Sequence, residues 1–192
     1  GPMKIRPIEG LLLLRCTPSW WIAALCCAAL WTIAPALGWS QHEHQAGPSS
    51  APAIGNPAIP FELKSLEGKS VGLTNFRGKP LVINFFASWC DPCRDEMPLI
   101  NDLAAGGAKE GYSVLGIAVE DSRAAVTEYA KETNLGFPIA LDLNSTVKRA
   151  YRIFGPPATF FIDDQGMIRD LVLGPITTER ARQAMRRIGI AR

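Results

Sequence analysis

The sequence has almost no excess of charge, because 20 lysines and arginines face 18 aspartates and glutamates, for a formal net charge of +2. A nucleic-acid-binding protein usually shows a strong basic excess or patch, so this function class is excluded. Histidine is also scarce: His42 and His44 are the only two. Both precede the region with a regular pattern of elements, which excludes a four-ligand zinc site and a Cys–His catalytic dyad there.

Cysteine is scarce where a globular domain is predicted. Three of the five cysteines lie at positions 16, 26 and 27 in an apolar N-terminal segment, and the other two are Cys90 and Cys93. Two cysteines cannot form the set of bridges that holds a disulfide-rich secreted domain together. The chain is also not of the disordered class, since 47% of its residues are hydrophobic and only 20% are charged.

A long hydrophobic run dominates the N-terminal part. Gly1 and Pro2 resemble the remnant of a cleaved expression tag and are left out of the interpretation. Residues 3–40 begin with basic side chains and continue into an apolar stretch at 20–39. As a helix rising about 1.5 Å per residue, that stretch would cross the roughly 30 Å core of a bilayer. It predicts a membrane anchor, and the alternative is a secretory signal cleaved near the small residues at 34–36.

Both alternatives leave the positive end in the cytoplasm and export the rest of the chain. They predict an extracytoplasmic or periplasmic protein, either anchored in the inner membrane or released into the periplasm after cleavage. Residues 41–58 are rich in proline, alanine and serine, which is typical of an extended linker. Residues 59–192 are long enough to bury a hydrophobic core and predict one compact domain.

Hydrophobic runs alternate with amphipathic segments in this domain. Two pairs of short strands predict hairpins, two continuous apolar runs predict strands buried on both faces, and four amphipathic segments predict helices. The hairpin strands are 61–66 with 70–73 and 158–162 with 167–173, the buried strands 80–87 and 113–119, and the helices 91–105, 122–133, 145–153 and one from 177 or 178 onward. This order predicts an α/β fold, with a mixed β-sheet flanked by helices.

One motif, Trp89-Cys90-Asp91-Pro92-Cys93, carries chemistry, and it lies between the first buried strand and a helix. Free backbone N–H groups and the positive end of the helix dipole stabilise a thiolate at a helix start. Residues three apart share a helix face, so the two sulfurs can form a disulfide. Pro92 suits the first turn, where its missing N–H costs nothing. The motif predicts Cys90 as the nucleophile and Cys93 as the thiol that resolves the mixed disulfide.

The motif has companions along the chain, namely LVINFFASWCDPC at 81–93, EMP at 96–98, GFP at 136–138 and GPPATFFID at 155–163. Together they resemble the thioredoxin superfamily, and within it the TlpA, ResA and CcmG group of membrane-anchored extracytoplasmic reductases. The resemblance implies a thioredoxin-like fold with an N-terminal β-hairpin extension. It further implies a redox-active disulfide as the only cofactor, and a cis peptide bond before Pro157 beside that disulfide.

Acidic residues near the motif are candidates for tuning the chemistry. Asp91 competes with the Cys90 thiolate for the donors at the helix start and repels it, which favours a reductant; the alternative is a solvated acid without this role. The resemblance implies that Asn84 replaces a buried aspartate that shuttles the proton of the resolving thiol. Glu120 or Asp121, at the end of the second buried strand, is then the candidate for that transfer.

We therefore expect a membrane-tethered enzyme that reduces protein disulfides outside the cytoplasm. The resemblance implies a membrane electron donor of the family type, and apocytochrome c or a copper-centre assembly protein as substrate. Two alternatives remain: a disulfide-forming oxidase or isomerase that uses the same cysteines, and a Cu(I)-binding module in which His42 and His44 join the dithiol. A peroxidase is disfavoured, because Ala87 stands where peroxiredoxins carry threonine or serine.

Overall fold

The computed structural model describes residues 51–191, which form seven strands, a short 3-10 helix and four α-helices. The strands are β1 (Glu62–Ser65), β2 (Ser70–Gly72), β3 (Leu81–Phe86), β4 (Ser113–Val119), β5 (Ile139–Asp142), β6 (Ala158–Ile162) and β7 (Ile168–Leu173). The helices are α1 (Asp91–Glu110), α2 (Arg123–Glu132), α3 (Thr146–Ala150) and α4 (Thr178–Arg187), and the 3-10 helix is Leu73–Phe76.

All the strands join one mixed sheet in the order β2-β1-β5-β4-β3-β6-β7. Strands β3, β4 and β5 run parallel, while the β1–β2 and β6–β7 pairs complete the two sides in antiparallel fashion. Every residue of β3 is buried, as its continuous apolar run predicts for a strand covered on both faces. The mixed α/β architecture with flanking helices is thereby confirmed.

The two faces of the sheet carry separate hydrophobic clusters. Side chains alternate along β3, so Val82 and Phe86 point to one face while Ile83 and Phe85 point to the other. Residues of α1, α2 and α4 cover the first face. On the second face Tyr151 follows α3, packs 5.3 Å from the Phe85 ring and donates its hydroxyl to the carbonyl of residue 59. The catalytic-motif cysteines belong to the first cluster.

Strand β5 was not predicted from the sequence. It has only four residues, and its backbone groups are satisfied because it lies between β1 and β4. Helix α1 also runs past its predicted end at residue 105 to Glu110. Gly107, in its last turns, packs against the segment just before β4, since a Cβ on Gly107 would lie 2.8 Å from the Tyr112 carbonyl oxygen. Gly111, with a φ of +80°, ends the helix.

The last residues of the predicted linker at 41–58 make backbone hydrogen bonds to the folded domain. The Gly55 N–H donates to the Ile168 carbonyl at 2.8 Å, and the Ile168 N–H donates to the Asn56 carbonyl at 2.9 Å. Ala58 is buried. The last residues assigned to the linker therefore pack against β7.

The predicted anchor at 3–40 and the linker residues up to 50 lie outside the described residues. None of the helices within 51–191 is long and apolar enough to cross a bilayer.

Candidate active site

The cysteine pair lies where β3 leads into α1. Cys90 is the N-cap of the helix and Cys93 is in its first turn, and their sulfurs form a disulfide. The backbone N–H of Cys93 donates to the Sγ of Cys90 at 3.2 Å. Cys90 keeps 5% of its surface exposed and Cys93 keeps none. Cys90 is thus the more accessible of the two, although both residues are largely buried.

Asp91 and Pro92 occupy the exposed first turn of α1, next to the disulfide. The predicted position of Pro92 is confirmed, because the first helical turn needs no N–H from it. The Asp91 side chain is in solvent, where water screens its effect on Cys90.

The loop after β4 holds the residues just before the disulfide. The indole N–H of Trp89 donates to the Glu120 carbonyl at 2.9 Å, and the Ser88 N–H donates to Oδ2 of Asp121 at 2.6 Å. The Glu120 carboxylate forms an ion pair with Nζ of Lys148 at 2.7 Å. The structure therefore gives both acids structural partners, and within residues 51–191 neither carboxylate forms a hydrogen bond with Cys93.

The loop that contains Pro156 and Pro157 lies on the other side of β3, before β6. The Pro156–Pro157 peptide bond is cis, as the resemblance implies, and the Pro157 carbonyl accepts the Gly174 N–H at 2.9 Å. Ala158 opens β6 opposite Phe85 of β3, so this loop lies at the sheet edge from which the motif emerges. Both prolines lack an N–H, so this backbone offers an extended substrate only acceptors.

A buried acid to which the sequence analysis gave no chemical role lies one helical turn beyond Cys93. Glu96 is 5% exposed and shares the face of α1 on which Cys93 lies. Its Oε1 accepts a hydrogen bond from Nδ2 of Asn84, and its Oε2 accepts one from the backbone N–H of Ile176, each at 2.8 Å. Burial raises the pKa of Glu96, although the bonds from Ile176 and Asn84 act against that rise. A carboxyl inside the apolar stripe of a predicted helix was the signal that would have found it.

Asn84 connects this acid to the neighbouring strand. Its Nδ2 also donates to the Thr159 hydroxyl at 3.1 Å, while its buried Oδ1 has no partner among the described residues. The residue stands where the resemblance expects an aspartate, and the buried carboxyl group next to it comes from Glu96 of α1. The free Oδ1 is an acceptor that a protonated Glu96 can use if the amide turns over.

A disulfide at a helix start and a cis proline at the adjoining end of a mixed sheet define a thioredoxin-like thiol-disulfide oxidoreductase. The chain matches the AhpC/TSA family over residues 54–171 and belongs to that family. It is a TlpA/ResA/CcmG-like member, since it is 35% identical over 153 residues to thiol-disulfide oxidoreductase ResA of Geobacillus thermodenitrificans, which covers 80% of this chain and 88% of that relative.

Two further proteins agree with this assignment. The ResA of Geobacillus kaustophilus is 33% identical over 152 residues, covering 79% of this chain and 87% of its own. A Chlorobium tepidum structure assigned as a thiol:disulfide interchange protein DsbE has a TM-score of 0.67 and 25% identity, covering 73% of this chain and all of its own. Within residues 51–191 no group of three or more metal-ligating side chains is found, and the two histidines lie outside that range.

Proposed function

We propose that this oxidoreductase reduces disulfides of polypeptides outside the cytoplasm, with Cys90 as nucleophile and Cys93 as resolving thiol. The Cys90 thiolate attacks a substrate disulfide, and one substrate sulfur leaves as a thiolate while a mixed disulfide forms. The Cys93 thiolate then attacks the Cys90 sulfur and releases the second substrate thiol. Two electrons and two protons pass to the substrate, and the enzyme is left with the Cys90–Cys93 disulfide.

The observation that carries this proposal is the position of Cys90 at the helix start. Its Sγ accepts the Cys93 N–H, and a thiolate formed there is stabilised by that donor and by the helix dipole. The partner sulfur is fully buried behind it. This arrangement supports an order of events in which an incoming disulfide meets Cys90 first and Cys93 acts only within the mixed disulfide.

Glu96 is the best-supported candidate for the proton of the resolving thiol. It lies on the same helix face as Cys93, and burial raises its pKa, which brings the carboxyl closer to the pH range in which thiols exchange protons. Glu120 and Asp121, the acids expected from the sequence, are less well supported because they are engaged by Lys148 and Ser88.

Exposed apolar side chains around the disulfide support a polypeptide as substrate. Trp89 is 57% exposed and Phe154, two residues before the proline pair, is 98% exposed. Leu173, at the end of β7, is exposed as well and pairs with the first residue of β6. Large apolar side chains left in water beside a reactive group are typical of a surface that a partner covers.

The proposal includes residues 3–40 as a membrane anchor, 41–58 as a linker whose last residues pack against β7, and a periplasmic location, with release after signal cleavage as the alternative. A reductase working in an oxidising compartment needs two electrons per cycle, for which we propose a membrane donor of the family type. Apocytochrome c or a copper-centre assembly protein is proposed as substrate. The support for these partners is the resemblance to ResA-like proteins, which are thiol-disulfide oxidoreductases.

The midpoint potential of the Cys90–Cys93 couple tests the direction of electron flow. We expect a value near that of thioredoxin, about −270 mV, or lower. Full-length protein in detergent, equilibrated with dithiothreitol and trapped with a thiol reagent, provides the measurement, and pre-reduced protein mixed with insulin provides the activity. Cys90→Ser is the matched control, and it should leave insulin oxidised.

The same measurement decides a second candidate, a disulfide-forming oxidase. The hydrogen bond from the Cys93 N–H to Cys90 Sγ favours it, because a strongly stabilised thiolate makes the disulfide form oxidising. A midpoint potential near about −120 mV, the value of DsbA, would establish the oxidase and overturn the reductase.

A further inference from the structure

We propose that Lys148 is a positioning residue of the active site. Its ion pair with Glu120 fixes the turn after β4, and the carbonyl of that turn holds the indole of Trp89 beside Cys90. The inference rests on the proposed function only in taking Cys90 as the reacting thiol.

Lys148 is an unusual lysine because it is almost entirely out of solvent. Its side chain is 11% exposed, and its Nζ lies 2.7 Å from Oε1 of Glu120. Its backbone N–H donates to Oδ2 of the fully buried Asp142, which ties the start of α3 to the end of β5. Lysine is almost never buried to this extent without a partner, so the pair with Glu120 is a fixed element of the structure.

Glu120 has an unfavourable backbone conformation, which indicates that its ion pair with Lys148 has a structural role. Its φ is +53°, in the left-handed region that residues with long side chains rarely adopt. Glycine would adopt this turn without strain, but it has no side chain to reach Lys148. The ion pair between the Glu120 carboxylate and Lys148 of α3 thus holds the turn in a backbone conformation that is unfavourable for Glu120, and it offsets that strain.

The turn in this conformation controls the two residues that precede Cys90. The Glu120 carbonyl accepts the Trp89 indole N–H at 2.9 Å, and Oδ2 of the adjoining Asp121 accepts the Ser88 N–H at 2.6 Å. An indole fixed through its N–H presents one defined apolar face beside the disulfide, whereas a released indole samples several rotamers. A polypeptide substrate that packs on this face depends on that order more than a small disulfide does.

The test compares Lys148→Met with Lys148→Met/Glu120→Gln in the full-length protein. Methionine keeps the length of the buried stem and removes the charge, and the double variant removes both charges together. Lys131→Met is the matched control, because Lys131 pairs with Glu128 on the exposed surface of α2. Glu120→Gln alone provides a second single variant, because its side chain is partly in solvent and its loss leaves the fold intact.

Three readouts separate positioning from a charge effect. In single turnovers of the pre-reduced protein, we expect the rate with insulin to fall about tenfold in the single and double variants, and the rate with glutathione disulfide to fall far less. The change in tryptophan fluorescence between oxidised and reduced protein should shrink toward that of Trp89→Phe, which retains only the four other tryptophans at 20–39 and so measures their contribution. The midpoint potential should stay as in the wild type.

Three results would overturn the inference. One is an insulin rate and fluorescence change in Lys148→Met equal to those of Lys131→Met. Another is a shifted midpoint potential in Lys148→Met that the double variant restores, because Lys148 would then act through its charge on the thiolate. The third is an equal fall in rate with both disulfides. If wild-type protein fails to reduce insulin, the proposed function is wrong, and the fluorescence comparison still decides the role of Lys148.

Discussion

Replacing Glu96 with glutamine tests the buried acid beyond the resolving cysteine. The carboxylate accepts two hydrogen bonds, from Asn84 Nδ2 and the Ile176 N–H, each at 2.8 Å. Glutamine has one acceptor oxygen in the same shape, so one buried donor loses its partner at a cost of about 1–3 kcal/mol. The variant also no longer buries a charge, which offsets part of that cost. The free energy of unfolding should fall by less than about 3 kcal/mol, and the protein should fold.

The same variant should also slow one step of the reaction. A positioned acid–base group contributes about 10²–10⁴ in rate, so Glu96→Gln should slow the attack of Cys93 on Cys90 by at least about 100-fold. That is about 2.7 kcal/mol in the barrier. The mixed disulfide with insulin should accumulate during a single turnover. Acid quenching followed by mass spectrometry measures its amount against time.

The dependence on pH gives a separate check. Burial raises the pKa of Glu96 above its ordinary 4.5, so folding favours the protonated form. The stability from the protonated carboxyl is present below pH 4.5 and is lost as the pH rises through the folded-state pKa. Glutamine does not titrate, so wild-type stability must decrease relative to the variant over this interval in urea denaturation. A difference constant from pH 4 to 8, or no mixed disulfide, would refute the reasoning.

Three further substitutions test other parts of the structure. Asp170 is fully buried and forms ion pairs with Arg180 and Arg187. Burial acts to raise the pKa of Asp170, but the interactions with the two arginines hold that pKa below its usual range. Asp170→Asn should therefore lower the free energy of unfolding by about 3 kcal/mol at pH 7, measured by urea denaturation. Cys93→Ser should trap a mixed disulfide with insulin, visible on a non-reducing gel. Phe154→Ser should raise KM for insulin about tenfold, because burial of the ring contributes about 1.5 kcal/mol.

Each of these has a control and a contrary result. The stability gap for Asp170→Asn should close as the pH falls through the folded-state pKa, because the wild-type carboxylate then also loses its charge; a gap that persists contradicts the ion-pair explanation. Cys90→Ser controls for Cys93→Ser, and a trapped complex in that control would exchange the two roles. Phe154→Tyr should keep most of the affinity, and equal losses with tyrosine and serine would contradict apolar contact.

The parts of the fold that the sequence predicted well are those with a local pattern. The run at 80–87 is apolar except for Asn84, and a capped, proline-containing helix start follows it, so β3, α1 and the disulfide between them were predictable. Strand β5 carries no such signal, because four residues have no period and depend on their neighbours in the sheet. Its existence follows from tertiary pairing alone.

The surroundings of the cysteines were less predictable for the same reason. Glu96 is held by Asn84, 12 residues away, and by Ile176, 80 residues away, and no local pattern links these positions. The acids at 120 and 121 were correctly located at the end of β4, but their partners come from α3 and from the motif itself. Sequence spacing identifies which residues carry chemistry, whereas the fold decides which acid meets which thiol.

The direction of electron flow depends on the reduction potential of the cysteine pair, and Asp91 in the exposed first turn of α1 is too weak to set it. Asp91 is in solvent, where a unit charge about 4 Å away contributes about 1 kcal/mol. For a two-electron couple, 1.4 kcal/mol corresponds to about 30 mV, so Asp91 shifts the potential by only about 20 mV. Thioredoxin and DsbA differ by about 150 mV, which is about 7 kcal/mol. Most of that range must come from groups shielded from water, and at this site these include the Cys93 thiol, the Cys93 N–H that donates to Cys90 Sγ, and Glu96. The sign of the redox chemistry is therefore set on the buried side of the pair.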